Sequence, residues 1–312
     1  MDKQASKIKG SLWGSVIGDA LGVPHEFKMR EEFEANPVNK MEGFGTHDQP
    51  PGTWSDDTSL SLCTMISLSQ KGLDFNDQMS LFLKWLEEGF CTPHGKVFDI
   101  GDSTMESILN YKRGVNLFEC GGRQVWQNGN GSLMRILPLS INLKNQRDEV
   151  IIEETSKSSS LTHGHNRSQL TCSFYSLFLK RLLNCMDFST AYLETINVIG
   201  PKMEAEKEEF SRILDQSILK GERISSTGYV IHSLEASLYC VNSTNSFKDA
   251  VLKAVNLGFD TDTTAAITGG IAGAIYGYES IPSEWINVIV RKDFIEEVIN
   301  GFIHSLRLCD SV

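Results

Sequence analysis

The sequence predicts an all-α fold, on three observations. Apolar residues recur at helical spacing along most of its length, strand-like alternation is short and rare, and proline and glycine fall where helices must be joined. SLFLKWLEEGF (80–90), QLTCSFYSLFLKRLL (169–183), YVIHSLEASLYCV (229–241) and DFIEEVINGFIHSLRL (293–308) each place large side chains at i, i+3, i+4 and i+7, the stripe of a helix that buries one face. KVFDI (96–100) is one of the few alternating runs, and such runs lack the regular turn spacing of a sandwich or barrel. Loops are expected at Pro50 to Gly52, Pro93 to Gly95, Gly121 to Gly131, Gly164 and Pro201. No repeat of solenoid period and no low-complexity tract interrupts the pattern, so residues 1–312 are expected to form one domain.

Composition narrows the function classes. With 40% hydrophobic and 22% charged residues, the chain can bury a sizeable core, which excludes disordered and fibrous classes. A net charge of -11 repels polyanions, and no local basic patch offsets it: Lys202 and Lys207 are neutralised by the neighbouring glutamates of PKMEAEKEEF. A nucleic-acid partner is therefore not expected. The seven cysteines are an odd number without a C-x-x-C pair, and MDKQASKIKG lacks the apolar run of a signal peptide. No stretch has the length needed to span a bilayer. The expectation is a cytoplasmic monomer with reduced thiols and no membrane association.

Two segments carry glycine at every fourth position: Gly10, Gly14, Gly18 and Gly22, then Gly269, Gly273 and Gly277. On a helix this spacing lines up a face free of side chains. Glycine costs about 1 kcal/mol per helical position relative to alanine, so close backbone approach is the compensating reason. Asp19 and the polar flanks argue for central helices of a water-soluble bundle rather than membrane spans.

GTWSDDTSL (52–60) and GFDTDTTAA (258–266) both set two aspartates among hydroxyl residues just before an apolar helical run. Helix capping is the plain alternative, because Asp, Ser and Thr accept from unpaired N–H groups at a helix start. One residue suffices for a cap, however, and each motif supplies four or five oxygen-bearing side chains. Carboxylates brought within about 4 Å repel by roughly 4 kcal/mol per pair at an effective dielectric near 20. Cations or protons must relieve that. Oxygen-only donors suit hard ions such as magnesium, manganese or calcium.

GTWSDDTSL, GNGSLMRILPLS (129–140), LTHGHNRS (161–168) and GFDTDTTAAITGGIAGAIYG (258–277), in this order and after the opening helix GSLWGSVIGDALGVPHEF (10–27), resemble the motifs of the ADP-ribosylglycohydrolase family. The resemblance implies an orthogonal helical bundle, an activity that hydrolyses the bond between C1 of the distal ribose of ADP-ribose and a protein side chain, and two magnesium ions, with manganese as the alternative. By the same resemblance the metal ligands are Ser55, Asp56, Asp57, Asp260, Asp262 and Thr263. Glu26, Asp57 and Asp260 are the implied catalytic residues, Glu26 lying near the scissile bond. Asp99, Gly129, Asn130, Gly131, Ser132, Met134 and His163 are the implied substrate contacts, and the partner is an ADP-ribosylated protein or free ADP-ribose. Two departures stand out: Ser55 replaces the family's usual threonine, and Phe259 stands where a second glycine is common.

The chemistry fits the motifs. Hard cations can orient the ribose hydroxyls and lower the pKa of water, while carboxylates stabilise oxocarbenium character at C1. Small residues in GNGSLMR, placed before a helix, are expected to leave backbone N–H groups free for a diphosphate, with Arg135 as a phosphate partner or a structural ion pair. The rival function is an ADP-ribose-binding or toxin-neutralising immunity protein built on the same fold. A nucleotide-clearing phosphohydrolase would instead favour E-x-x-E patterns inside helices.

Overall fold

The computed structural model describes residues 3–309, with side chains as far as residue 306. In chain order its α-helices are α1 (Lys3–Gly22), α2 (Arg30–Ala35), α3 (Asp56–Lys71), α4 (Phe75–Glu88), α5 (Asp102–Lys112), α6 (Leu137–Asn142), α7 (Asp148–Ser160), α8 (Asn166–Leu183), α9 (Phe188–Met203), α10 (Lys207–Leu214), α11 (Val230–Asn242), α12 (Phe247–Val255), α13 (Thr261–Tyr276), α14 (Ser283–Val288) and α15 (Lys292–Cys309). Among the described residues, β structure is limited to isolated bridges, so the all-α class holds and KVFDI lies in a loop. The four apolar-striped segments fall in α4, α8, α11 and α15. Among the described residues, no helix is long and apolar enough to cross a membrane. Cys63, Cys91, Cys120, Cys172, Cys185 and Cys240 are free thiols; the side chain of Cys309 lies outside the described residues.

One expected loop is absent. Pro201 sits inside α9, in its last turn, where its missing N–H forfeits one hydrogen bond close to the helix end. Burial of Ala191, Tyr192, Thr195, Ile199 and Met203 on one face keeps the helix running past it.

The glycine stripes explain the centre of the bundle. A Cβ atom placed on Gly14 would fall on the carbonyl of Gly269, one on Gly18 on the carbonyl of Ala265, and one on Gly22 on the backbone of Asp262. Rising numbers in α1 meet falling numbers in α13, so the two helices run antiparallel with their backbones in direct contact. Both are buried along most of their length, and α3, α8, α11, α12 and α15 pack around them. The end of α1 and the start of α13 are thereby brought to one place. This is the step that positions the site.

The contact is testable with a matched pair. Gly14→Val must push two backbones apart and is expected to destabilise the fold by about 3 kcal/mol. Gly301→Ala, in α15 with nothing near the added methyl, is expected to stabilise by about 0.5–1 kcal/mol. Urea denaturation of both variants reads the difference; similar midpoints would contradict the close approach of α1 and α13.

Candidate active site

The last turn of α1 gathers both aspartate motifs. Asp19, fully buried, accepts from the backbone N–H of Ser55 (2.9 Å) and of Thr58 (3.0 Å) and from the Thr58 hydroxyl (2.5 Å), which fixes the first turn of α3. Thr261 Oγ1 donates to the carbonyl of Gly22 (2.8 Å), which fixes the first turn of α13. The first motif is held from the other side as well: Trp54 Nε1 donates to Val290 O (2.9 Å), and Val290 N donates to Gly52 O (2.9 Å).

Residues 206 positions apart consequently touch, since the Thr263 hydroxyl donates to Asp57 Oδ2 over 3.2 Å. Ser55 is the N-cap of α3, accepting from Asp57 N at 3.2 Å, and its Oγ lies 3.4 Å from Asp57 Oδ2. Capping therefore accounts for Ser55. It does not account for Asp260, which occupies the N-cap position of α13 without a capping bond. Asn130 Nδ2 donates to Asp260 Oδ2 (2.7 Å) and to Ser233 Oγ (2.9 Å), orienting that carboxylate. Glu26, Asp260 and Asp262 offer carboxylate oxygens within 4.8 Å of one another. Asp57 Oδ1, Asp260 Oδ1 and Asp262 Oδ2 are buried with no hydrogen-bond partner. Orphaned buried oxygens in an oxygen-only donor set suit a hard cation.

The electrostatics point the same way. Burial holds Asp56, Asp57 and Asp262 well above the usual carboxylate range, and neighbouring acids add to the effect: Asp99 and Asp57 on Asp56, Asp19 and Asp260 on Asp57, Glu26 and Asp99 on Asp262. Asp260 is raised too, by burial, against the bond from Asn130. Glu26 is pushed up to about 8 by burial, despite His47 Nε2 at 2.5 Å.

A cleft of about 420 Å³ opens beside this cluster. Glu26, Asp56, Asp57, Asp260 and Thr263 line it together with Asp99, Gly129, Asn130, Gly131, Met134 and His163. Phe27 and Trp126 stand at the rim, 66% and 81% exposed. Asp99 has positive φ and does not cap α5, whose N-cap is Gly101.

The glycine loop departs from expectation in four ways. Residues 131–135 form turns rather than the start of a helix, and α6 begins only at Leu137. Asn130 N is spent on Gly228 O, and Leu133 N and Met134 N on Asn130 O, so these three N–H groups are not free for a diphosphate. Ser132 lies outside the cleft lining: its hydroxyl, fully buried, lies 2.9 Å from Ser159 Oγ and 3.5 Å from Cys172 Sγ. Arg135 reaches neither a phosphate position nor an acid; it is fully buried and donates to Ser158 and Thr162.

Phe259, the second departure from the family pattern, has φ 60°, a conformation glycine adopts freely. Its backbone compensates by exchanging bonds with the segment after Glu26: Phe27 N donates to Phe259 O (2.6 Å) and Phe259 N to Lys28 O (2.8 Å). That exchange ties Glu26 to the Asp260 turn.

Two residues of the site escaped sequence reasoning. Asp19 carried the signal of a lone acid inside an apolar helix, and its part in placing α3 needed the fold. His47 carried none: it lies in the loop FGTHDQP, far from any periodic run, yet sits between Glu26 and Asp99 (4.0 Å from Asp99 Oδ2).

An all-α bundle with a buried carboxylate cluster at two helix starts, facing a cleft, has the donor set that a metal-assisted hydrolase would use. Comparison with known proteins gives the family. The profile of the ADP-ribosylglycohydrolase family matches residues 1–311. The ADP-ribosylarginine hydrolase Tri1 of Serratia proteamaculans is 34% identical over 94% of this chain and 77% of its own length. The ADP-ribosyl-[dinitrogen reductase] glycohydrolase of Rhodospirillum rubrum is 30% identical, over 95% of this chain and 94% of its own. A solved chain of an ADP-ribosylglycohydrolase-related protein complex superposes with a TM-score of 0.83 at 26% identity, covering 98% of this chain and 100% of that one. The chain belongs to the ADP-ribosylglycohydrolase family and is a glycosidic-bond hydrolase.

The raised carboxylates make stability depend on pH. A carboxyl whose folded pKa lies above its unfolded value contributes stability that is present at low pH and lost as pH climbs through the folded value. Glu26, its pKa moved from 4.5 to about 8, therefore costs stability progressively from about pH 4.5 and in full above about pH 8, so that the last part of the loss falls between about pH 7 and about pH 9. His163, depressed to about 3, changes nothing in that window. The metal-free protein is expected to melt at lower temperature at about pH 9 than at about pH 7, and magnesium to restore more at the higher pH. Thermal melts in EDTA and in magnesium check this; metal-free melting independent of pH would contradict it.

Proposed function

We propose that the chain removes ADP-ribose from arginine side chains of modified proteins, with two magnesium ions held by Ser55, Asp56, Asp57, Asp260, Asp262 and Thr263. The convergence of the two aspartate turns on one cleft, with three orphaned buried carboxylate oxygens, carries this reading. The linkage follows the relatives: those named ADP-ribosylarginine hydrolase are 34% and 30% identical. Residues 1–312 act as one unit in this account.

Bound there, magnesium supplies charge that neutralises the cluster, ligation for vicinal ribose hydroxyls and a lowered pKa for water. Everything else falls to the chain. Glu26 lines the cleft with a raised pKa, suited to moving a proton at the scissile bond near neutral pH. His47 holds the Glu26 carboxyl from behind at 2.5 Å. Asp57 and Asp260 present negative charge where C1 develops oxocarbenium character. Asn130 holds Asp260 in place, while Gly129, Gly131, Met134, Asp99 and His163 form the walls against which the rest of ADP-ribose rests; Ser132 supports that wall from the core side. Glu26, with its raised pKa beside the same acids, favours turnover over a purely binding or immunity role, which would need no proton-transfer group there.

Two measurements test the reading. Arginine-linked ADP-ribose is expected to be hydrolysed at least about tenfold faster than serine-linked in magnesium, and not at all in EDTA; unchanged turnover in EDTA would overturn the metal assignment. Glu26→Gln is expected to keep its circular dichroism spectrum and magnesium uptake while losing about 10²–10⁴ in kcat. Near-native turnover would remove Glu26 from the chemistry.

A further inference from the structure

We propose that Arg135 and Thr162 are positioning residues that lock His163 as the tautomer with its proton on Nε2, aimed into the cleft as a hydrogen-bond donor to the bound ligand. The recipient rests on the reading of ADP-ribose as ligand; the tautomer does not.

Arg135 is fully buried and has no carboxylate partner among the described residues. Its Nη2 donates to Ser158 O (3.0 Å) and to Thr162 Oγ1 (2.8 Å), its Nη1 lies 3.3 Å from Ser158 Oγ, and its guanidinium stacks 5.0 Å from the ring centre of Phe82. The contacts with Phe82 and the end of α7 are what hold the charge in the core. A guanidinium only donates, so Thr162 Oγ1 must accept from it.

Thr162 is fully buried, and its single hydroxyl proton has one neighbour to go to, His163 Nδ1 at 3.0 Å. Were Nδ1 protonated, two N–H groups would point at the same oxygen and the hydroxyl proton would be left without an acceptor. An unmade hydrogen bond at a buried site makes that the costlier arrangement. Nδ1 therefore accepts, and the neutral ring carries its proton on Nε2. Burial and the nearby Arg135 charge keep the ring neutral.

The backbone that carries the ring is held on both sides. His163 N donates to Ser159 O (2.7 Å), and Ser159 Oγ donates to His163 O (2.9 Å). The ring's free edge faces the glycines of the cleft lining. A Cβ built on Gly129 would lie 3.4 Å from Nε2, and one on Gly131 would lie 2.8 Å from Cε1. Glycine at both positions leaves that edge open to a ligand. The relay thus turns a buried cation into one directed, neutral donor, and the guanidinium behind it adds a positive field to that part of the cleft lining.

The test reads the tautomer directly. Long-range ¹H–¹⁵N spectra of histidine-labelled protein are expected to show His163 with Nδ1 unprotonated and Nε2 protonated. Arg135 variants risk unfolding, so Thr162→Val, which keeps shape and removes the hydroxyl, is the working variant, with Thr162→Ser as rescue. Thr162→Val is expected to give mixed tautomers, to weaken ADP-ribose binding about tenfold by calorimetry, and to raise KM with kcat nearly unchanged. Thr162→Ser is expected to restore all three. Wild-type His163 protonated on Nδ1, or a Thr162→Val spectrum and affinity like the wild type's, would overturn the relay. A wild-type protein with the expected tautomer that takes up no ADP-ribose would overturn the ligand reading and, with it, the assigned recipient.

Discussion

Everything in this protein depends on the last turn of α1. There the glycine-lined face of one helix lies backbone to backbone against another, so that Gly22 sits against Asp262 while Asp19, one turn earlier, grips the start of α3. Side chains larger than hydrogen along that face would collide with the facing backbone and push the two helices apart. The intrinsic cost of glycine in helices is thus tied to function: it is the condition for two distant acidic turns to meet.

The meeting is electrostatically unfavourable by itself. Asp56, Asp57, Asp260 and Asp262, with Glu26 and Asp99 close by, concentrate negative charge in a buried place where burial and mutual repulsion both disfavour ionisation. The rest of the fold must hold them there regardless, and it does so through backbone bonds rather than salt bridges: Asp19 with Ser55 and Thr58, Thr261 with Gly22, Phe27 with Phe259, Trp54 with Val290. His47, between Glu26 and Asp99, is the basic group that reaches these acids. Arg135, a buried cation behind the cleft lining, donates to Ser158 and Thr162 rather than to the acids. A cluster arranged in this way is suited to receiving cations from outside.

Much of this was legible in the sequence. The helical stripes, the glycine periodicity and the surplus of oxygens in GTWSDDTSL and GFDTDTTAA are local patterns, and local patterns survive without knowledge of the fold. What stayed hidden depends on where side chains turn. His47 has no periodic context, so its place beside Glu26 follows only from the packing of its loop against Pro24 to Glu26. Ser132 and Arg135 belong to a segment correctly placed at the cleft, yet their side chains point inward, a matter of one residue's rotation in a run of turns. Pro201 misled because its cost near a helix end is smaller than the gain from the face it extends.

The central claim is that the two aspartate turns form one site for hard cations. Crystals soaked in manganese, with anomalous scattering recorded, test it most directly. The account predicts two strong peaks in the cleft, between the carboxylates of Asp56 and Asp57 and those of Asp260 and Asp262. A cleft without anomalous density at saturating manganese, or peaks only at surface acids, would contradict it.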